Sequence, residues 1–265
     1  MIATLQKTAL FVLFTLVTLF VNAQRPPQPP VSDTIYTPSS LGYVLFWEDN
    51  FNGNKLDSSK WSVRGIGKRA LGYVAEKAVT VENGYLTLHA LKNNDSLFTG
   101  AVGTEHAFMT TYGYFECRAQ LQQSRGQWGA FWLQSPKLSE GDDPSRHGAE
   151  IDIMECFRKL GNDIVSHNVH WGPYGKNQHT THGMQSTLRG LGKGFHIFAL
   201  EWTPEKYVFY VDGYKFYEVR EGVSGINEYI ILSMELPNEP QDMIKAVLPD
   251  KFIVDYIKVY KKKKD

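Results

Sequence analysis

Three carboxylates follow one another closely in segment 147–157, which reads His-Gly-Ala-Glu-Ile-Asp-Ile-Met-Glu-Cys-Phe. Alternate residues of a β-strand share a face, so Glu150 and Asp152 point one way while the neighbouring isoleucines point into a core. Glu155 is out of register, and a regular strand would bury its carboxylate among those isoleucines, which is costly. One extra residue at Met154, a β-bulge, returns Glu155 to the face of the other two acids. The sequence therefore predicts three carboxylates on one surface.

Such a cluster has a chemical use. Carboxylates this close cannot all ionise easily, so at least one pKa is expected to rise. Hydrolysis of a glycosidic bond needs that asymmetry, because one carboxylate must be ionised and another must carry a proton. Glu150 and Glu155 are four strand steps apart, roughly 13 Å between backbones at ~3.3 Å per step. Side chains that lean together over Asp152 could close this distance to about the 5–5.5 Å of retaining enzymes, whereas an inverting enzyme needs a wider gap that holds a water molecule.

Two other interpretations of the carboxylates stay open. The acids could form a solvated strand face, although no lysine accompanies them on that face. They could also bind a hard cation through oxygen ligands, although a single rigid strand wraps poorly around an ion.

Two tryptophans precede the acids on a segment with strand periodicity, 127–134. Trp128 and Trp132 alternate there with Phe131 and Leu133. Tryptophans on the polar side of a strand are costly to expose without a purpose. They suit platforms on which sugar rings stack, or else a second apolar layer under a loop. We take Trp128 and Trp132 as candidate substrate-binding residues.

Histidines occur in two further segments. In segment 167–171, Asn168 and His170 share a face, and His170 could hydrogen-bond a carboxylate or a sugar hydroxyl. His170 is therefore a third candidate for substrate binding, although a strand histidine can also be purely structural. His179 and His182 lie in a polar loop and lack a third zinc ligand at diagnostic spacing. No metal ligand and no cofactor are predicted.

The elements that must position these residues are strands. Hydrophobic residues recur with a period of two rather than 3.6. Asp212-Gly213 joins two such runs and is a strong signal for a type I′ hairpin. The best candidate helix is short, at Gln241–Val247. Many strands and few helices favour an antiparallel sandwich or barrel. The clearest alternating segments are 85–91, 112–121, 207–211, 214–219 and 252–260.

Composition and the N-terminus limit the class of protein. The 265 residues favour one domain, and 28 basic against 28 acidic residues leave no basic excess for binding nucleic acid. Residues 1–23 have the features of a secretory signal peptide, with Lys7 before an apolar core and a small-residue site before Gln24. That core is well short of the ~20 residues of a membrane span. We expect a secreted or periplasmic monomer without a membrane span or a lipid-anchor cysteine.

The remaining features concern the organisation of the chain. Residues 24–40 are rich in proline and predict an extended linker before a single domain at 41–262. Cys117 and Cys156 fall on apolar faces, so buried free thiols are favoured over a disulfide bridge. The lysines at 261–264 predict a solvated tail, with binding to an anionic surface as the weaker interpretation.

The carboxylate segment resembles the active-site signature of glycoside hydrolase family 16 in its bulged form. The similarity covers about residues 41 to 261, in the family's order. Further segments that resemble the family are 47–53 with Leu56-Asp57, 112–116, 128–133, 201–204, 210–213 and 254–260.

The resemblance implies an all-β fold, a concanavalin-like β-jelly-roll of two curved antiparallel sheets with a substrate cleft on the concave face. It also implies a retaining, double-displacement mechanism. Glu150 matches the nucleophile and Glu155 the acid/base, while Asp152 matches the residue that hydrogen-bonds the nucleophile. Some members hold a structural calcium where Asp255 matches, but Asn50 replaces the acidic partner, so calcium is not predicted.

The expected function is hydrolysis of internal bonds in a β-glycan polysaccharide, with β-1,3- or mixed-linkage glucan as the first expectation. Segments 67–73 and 233–237 depart from the family's glucanases, and Trp128-Gly129-Ala130 stands where they carry Trp-Pro-Ala. A galactan (agar, porphyran or carrageenan) or a host O-glycan is therefore an alternative substrate. A transglycosylase and a non-catalytic carbohydrate-binding module are alternative functions, and the second would need no paired acids.

Overall fold

The computed structural model describes residues 26–176 and 178–263. The predicted signal peptide at 1–23 and its cleavage site before Gln24 lie outside these residues. Within the described part, no helix is long and apolar enough to cross a membrane.

Strands account for most of the regular structure, as the period of two predicts. The strands of the described residues are β1 (Tyr43–Asp49), β2 (Ser62–Val63), β3 (Gly67–Arg69), β4 (Gly72–Val74), β5 (Val79–Glu82), β6 (Tyr85–Asn93), β7 (Ser96–Thr99), β8 (Ala101–Gly103), β9 (Met109–Thr110), β10 (Gly113–Gln120), β11 (Trp128–Gln134), β12 (Ala149–Glu155), β13 (Ile164–Trp171), β14 (His179–Thr180), β15 (Met184–Thr187), β16 (His196–Trp202), β17 (Tyr207–Val211), β18 (Tyr214–Val219), β19 (Glu228–Glu235) and β20 (Asp250–Lys262).

These strands form two sheets. The outer sheet has the order β18-β17-β16-β10-β20-β6-β7-β4-β3, with β1 on β20 and β5 on β6. The second sheet, which we call the cleft sheet, has the order β14-β13-β12-β11-β19-β8-β2, with β15 on β13 and β9 on β19. Every pairing is antiparallel except that of β4 with β7. The predicted all-β jelly-roll sandwich is confirmed.

Helices are few and short within residues 26–176 and 178–263. The α-helix α1 spans Pro144–His147, and its N-terminus is capped by Asp143, whose Oδ1 accepts from the Ser145 N–H at 3.0 Å. Three 3₁₀ turns occur at Glu76–Ala78, Leu138–Glu140 and Pro240–Met243. The helix predicted at 241–247 was therefore wrong beyond one 3₁₀ turn. A single 3₁₀ turn gains little hydrogen bonding, and the weak periodicity of this segment does not extend it into an α-helix.

The turn between β17 and β18 has the predicted geometry. Asp212 and Gly213 both have positive φ, 50° and 78°, as the two central residues of a type I′ turn require. This turn joins Val211 directly to Tyr214, which pair across the hairpin.

The main core fills the space between the two sheets. The cleft sheet contributes Phe131, Leu133 and Ile151, and the outer sheet contributes residues such as Leu88 and Phe252, all fully buried. Both cysteines are buried and free, which confirms the prediction. Burial of each large aliphatic or aromatic side chain contributes ~1.5–3 kcal/mol, so this layer dominates the stability of the fold.

The two ends of the described chain run along the sandwich. The Gln28 N–H donates to the Gln185 carbonyl at 2.8 Å, and the Tyr36 N–H donates to the Gly213 carbonyl at 2.8 Å. Lys261, predicted to lie in a solvated tail, instead belongs to β20, and its Nζ donates to the Thr111 and Tyr112 carbonyls at 2.6 and 2.7 Å. That part of the tail prediction was wrong, because the carbonyls of a turn offer the ammonium group an interior partner.

Candidate active site

A bulge in β12 brings the three carboxylates together. Along β11, Trp132 pairs with Asp152 while the adjacent Phe131 pairs with Met154, so Ile153 is the extra residue. Ile153 and Met154 are both buried in the core, which consecutive residues of a regular strand cannot be. The predicted bulge is therefore present and returns Glu155 to the face of the other acids, but its extra residue is Ile153 rather than Met154. The alternation of residues requires one extra residue between Asp152 and Glu155 and does not say which of the two it is.

The carboxylates line a cleft of about 450 Å³ on the face of the cleft sheet that is turned away from the core. Together with Glu150, Asp152 and Glu155, the lining residues are Arg64, Arg69, Trp128, Ala130, Trp132, Gln134, His170, Tyr174, Ser233 and Glu235. All six residues singled out as catalytic or substrate-binding in the sequence are thus brought into one cavity.

Glu150 is held by two donors that the sequence analysis did not single out. The Tyr174 hydroxyl, from the loop after β13, donates to Glu150 Oε2, and Gln134 Nε2 donates to the same oxygen at 3.1 Å. Gln134 is itself fixed, because its Oε1 accepts from Arg64 Nη2 at 2.6 Å and from the Tyr229 hydroxyl at 2.5 Å. Donors that converge on one carboxylate oxygen stabilise its ionised form.

Glu155 has the opposite environment. Burial raises its pKa well above the usual range, and the nearby charge of Asp152 raises it further. Asn168 Nδ2 donates to Glu155 Oε2 at 3.2 Å, which opposes the rise without cancelling it. Glu155 is therefore suited to hold a proton.

Asp152 lies between the two glutamates and is buried. Its pKa is raised well above the usual range, first by burial and then by the charge of Glu150. His170 pairs with Glu150 across β13 and places its Nε2 3.2 Å from Asp152 Oδ2. Asp152 thus contacts the histidine that pairs with Glu150 between β12 and β13, which makes it a candidate positioning group within the cluster.

The two tryptophans form part of the cleft wall. Trp132 is only 7% exposed, and its Nε1 donates to Ser233 Oγ at 3.1 Å. The Arg64 guanidinium lies over the Trp132 ring, 5.5 Å from its centroid. Trp128 is half-buried and packs against Phe157 with ring centroids 5.0 Å apart. Both tryptophans lie on the predicted face, but Trp132 is also a packing residue.

Ion pairs flank the cluster at positions that sequence reasoning left unassigned. Arg64 Nε lies 3.2 Å from Glu105 Oε2, and Arg69 Nε lies 2.6 Å from Glu235 Oε2. Arg69 and Glu235 belong to the two segments, 67–73 and 233–237, that depart from the family's glucanases. The departure was the available signal, but the two segments belong to different sheets, and only the folded structure shows that their side chains meet in the cleft.

One group of the described residues could hold a metal ion. Glu150, Asp152 and His170 offer ligand atoms within 4.8 Å of one another. Two donors already point at Glu150 Oε2, and His170 Nε2 already lies 3.2 Å from Asp152 Oδ2, so the three groups have partners of their own among the described residues. Asp255, the match to a calcium ligand, forms an ion pair with Arg118.

Comparison with known proteins identifies the kind of domain. A family model described as the GH16 domain of β-porphyranases A–D matches residues 47–262. A glucan endo-1,3-β-glucosidase A1 from Niallia circulans is 27% identical over 295 residues, which cover 91% of this chain and 42% of that protein. A β-glucanase from Rhodothermus marinus is 27% identical over 248 residues, covering 83% of this chain and 85% of the relative.

A solved structure agrees with this assignment. The laminarinase from Flavobacterium sp. UMI-01 has 25% sequence identity and a TM-score of 0.68, and the match covers 82% of this chain and all of that one. The chain spans about two fifths of the length of the Niallia circulans relative, which is a longer protein.

Proposed function

The chain belongs to glycoside hydrolase family 16, and from this premise we propose that it is a retaining endo-β-glycanase acting on a polysaccharide. The observation that carries the proposal is the bulge in β12, which puts Glu150, Asp152 and Glu155 on one wall of a single cleft. A binding module would gain nothing from three clustered acids, one of them buried, since burying a carboxylate costs stability.

In the proposed mechanism, Glu150 attacks the anomeric carbon. Its carboxylate is oriented by hydrogen bonds from Tyr174 and Gln134. Attack forms the covalent glycosyl-enzyme bond and breaks the glycosidic bond, as retention of configuration requires. Asp152 and His170 hold the nucleophile in place beside the reacting carbon.

Glu155 supplies the proton. Its raised pKa keeps it protonated in the free enzyme, so it can donate to the leaving oxygen as the bond breaks. Once ionised, the same carboxylate accepts a proton from water, which then attacks the anomeric carbon and releases Glu150. Each cycle returns both groups to their starting states.

The first candidate substrate is a β-1,3- or mixed-linkage glucan, since relatives over most of the chain are named for glucans. A galactan is the second candidate, because the matching family model is described by β-porphyranases. The Arg69–Glu235 pair in the cleft supports this second candidate, because both residues lie in segments that differ from the glucanases.

The test is product release from a panel of polymers. Laminarin, mixed-linkage glucan, agarose, porphyran, carrageenan and mucin O-glycans are each incubated with the protein, and products are sized by chromatography. The proposal expects a ladder of oligosaccharides from at least one polymer and none with Glu150→Ala. Absence of soluble products from all of them, with the protein folded and bound to a polymer, would favour the binding module.

We further propose that the protein is exported to the periplasm or the medium by the signal peptide at 1–23. A polysaccharide is too large to enter a cell intact, so an endo-acting enzyme has to meet it outside the cytoplasm. The positive residue, short apolar core and small-residue site of this segment support the proposal.

A further inference from the structure

A second pocket adjoins the cleft at Trp128. It has a volume of about 400 Å³, and Trp128 lines both cavities. Cys156 is buried in the core, so Phe157 lies on the cleft side of the chain, where it is the next residue on that side after Glu155. The Phe157 and Trp128 rings pack with an interplanar angle of 35°. The pocket is therefore a continuation of the cleft beyond the proposed acid/base.

Positive charge is concentrated around this pocket. Arg125, Arg158, Lys159 and Lys245 line it, with Asp242 as the one carboxylate among the lining residues. In the described part of the chain, none of these four cations forms a salt bridge. Uncompensated charge of one sign in a concave surface attracts ligands of the opposite sign.

The buried cation in this set also forms no salt bridge among the described residues, and its charge adds to backbone hydrogen bonds in lowering the pKa of the Asp163 carboxyl. Arg158 is 3% exposed, and its Nε donates to the Gln122 carbonyl at 2.6 Å while Nη1 donates to the Asn162 carbonyl at 2.6 Å. Carbonyl oxygens satisfy its N–H groups but leave its charge in place. By contrast, Arg64 and Arg69 in the main cleft are each paired with a glutamate.

The pocket walls are held in position by contacts of their own. Asp250 Oδ2 accepts from the Ser124 N–H and from Gln127 Nε2, both at 2.7 Å, which fixes the loop at 123–127. A Cβ on Gly126 would lie 2.8 Å from Met243 Sδ, so this loop touches the segment after the last 3₁₀ turn without a gap. A preformed pocket loses little entropy when a ligand enters.

We propose that this pocket is an additional substrate subsite, which binds an anionic group carried by a sugar of the chain held in the cleft. The group is a sulfate ester or a carboxylate, both of which suit guanidinium and ammonium donors. The apolar wall of Trp128 and Phe157 would contact the sugar ring, while Arg125, Lys159 and Lys245 would contact the anion. The inference rests on the proposed function in that the cleft is taken to hold a glycan.

The test measures binding, so that it does not depend on turnover. The full chain carrying Glu150→Gln is run by affinity electrophoresis through gels containing porphyran, chemically desulfated porphyran or alginate. We expect porphyran to bind more tightly than its desulfated form. The double charge reversal Lys159→Glu/Lys245→Glu should reduce porphyran affinity about tenfold, ~1.4 kcal/mol, and abolish the preference. If the site binds any anionic group, alginate should retard the protein as well. If the site is specific for sulfate, only porphyran should retard it.

A matched control is Lys55→Glu/Lys92→Glu, which reverses two exposed lysines away from the pocket. The control should keep the preference for the sulfated polymer. If the pocket double variant keeps it too, with an unchanged melting temperature, the subsite assignment is overturned. If instead the unsubstituted chain hydrolyses no polymer while the pocket variant loses the preference, the subsite stands and the proposed hydrolase activity fails.

Discussion

At the scale of single residues, the site contains two glutamates whose environments differ. Glu150 accepts two hydrogen bonds at one oxygen. Glu155 is buried beside Asp152 and accepts one, from Asn168. Because burial and like charge oppose the charged form of a carboxyl group, this environment suits Glu155 to the proposed role of acid/base, while the two hydrogen bonds orient Glu150 for the proposed role of nucleophile.

The pH dependence of activity tests this division through Asn168. The Asn168 hydrogen bond lowers the pKa of Glu155, so Asn168→Ala should raise that pKa further. Activity needs protonated Glu155 and is lost as pH rises through its pKa, so the alkaline limb of kcat/KM should move to higher pH. Asn227→Ala, an exposed asparagine that accepts from Thr111, serves as the control. An alkaline limb that is unmoved in Asn168→Ala would mean that Glu155 does not set it.

Glu228 is a buried acid that contacts Ala149, the first residue of β12, the strand that carries the three cleft carboxylates. Burial raises its pKa to about 8, and its Oε1 accepts from the Ala149 N–H at 2.8 Å. Between its unfolded pKa and about 8 the folded state holds an extra proton, so stability contributed by this group falls as pH rises through that window. Glu228→Gln keeps an acceptor but removes the ionisation. We expect the melting temperature of the variant to exceed that of the unsubstituted chain at pH 9 by more than at pH 5; an equal difference at both would contradict the assignment.

At the scale of elements, strand alternation separates stability from function on β11. Phe131 is fully buried in the main core, whereas Trp128 is half-buried in the cleft. Phe131→Ala should therefore cost ~3–5 kcal/mol of unfolding free energy. Trp128→Ala should mainly raise KM for the polysaccharide and change the melting temperature little.

Trp132 is expected to affect both stability and substrate binding. It is only 7% exposed, so its truncation leaves a cavity in the packing and also removes a contact for the sugar. Both melting temperature and KM should change in Trp132→Ala. Denaturant unfolding and steady-state kinetics on the same preparations separate the two effects. A large loss of stability in Trp128→Ala, with KM unchanged, would show that this tryptophan serves packing alone.

Strand periodicity explains how much of the site could be predicted. Glu150, Asp152 and Glu155 lie within six residues, so local alternation plus one bulge was enough to place them. Tyr174 and Arg64 could not be predicted, because they lie far from the acids in the sequence. Their proximity depends on the order of the strands in the sheet, which no local sequence pattern reveals. The failed helix at 241–247 has a similar cause, since its conformation follows from packing against Gly126.

At the scale of the whole molecule, the cleft and the added pocket both lie on the cleft sheet, whose opposite face carries the core. The outer sheet is not part of either cavity's lining except through β3, which supplies Arg69. Loops of the cleft sheet can therefore vary the sugar that is bound without disturbing the core, as the shared fold of differently named relatives illustrates.

Export is a property of the whole chain. If residues 1–23 form a cleaved signal peptide, the mature protein begins at Gln24. Expression of the full sequence in a secreting host, followed by N-terminal sequencing of the protein outside the cytoplasm, should give that residue first. Exported protein that retains Met1 would contradict the assignment.

The central claim is that Glu150 forms a covalent bond to the sugar and that Glu155 supplies and removes the proton. The most direct measurement is mass spectrometry of the Glu155→Ala protein after incubation with an aryl β-glycoside that matches the polymer the enzyme degrades. A good leaving group needs little protonation, so glycosylation should proceed, whereas hydrolysis of the intermediate should stall without the base. The account predicts an added sugar on the peptide that contains Glu150. Equal loss of activity on activated and natural substrates, with no adduct on that peptide, would contradict it.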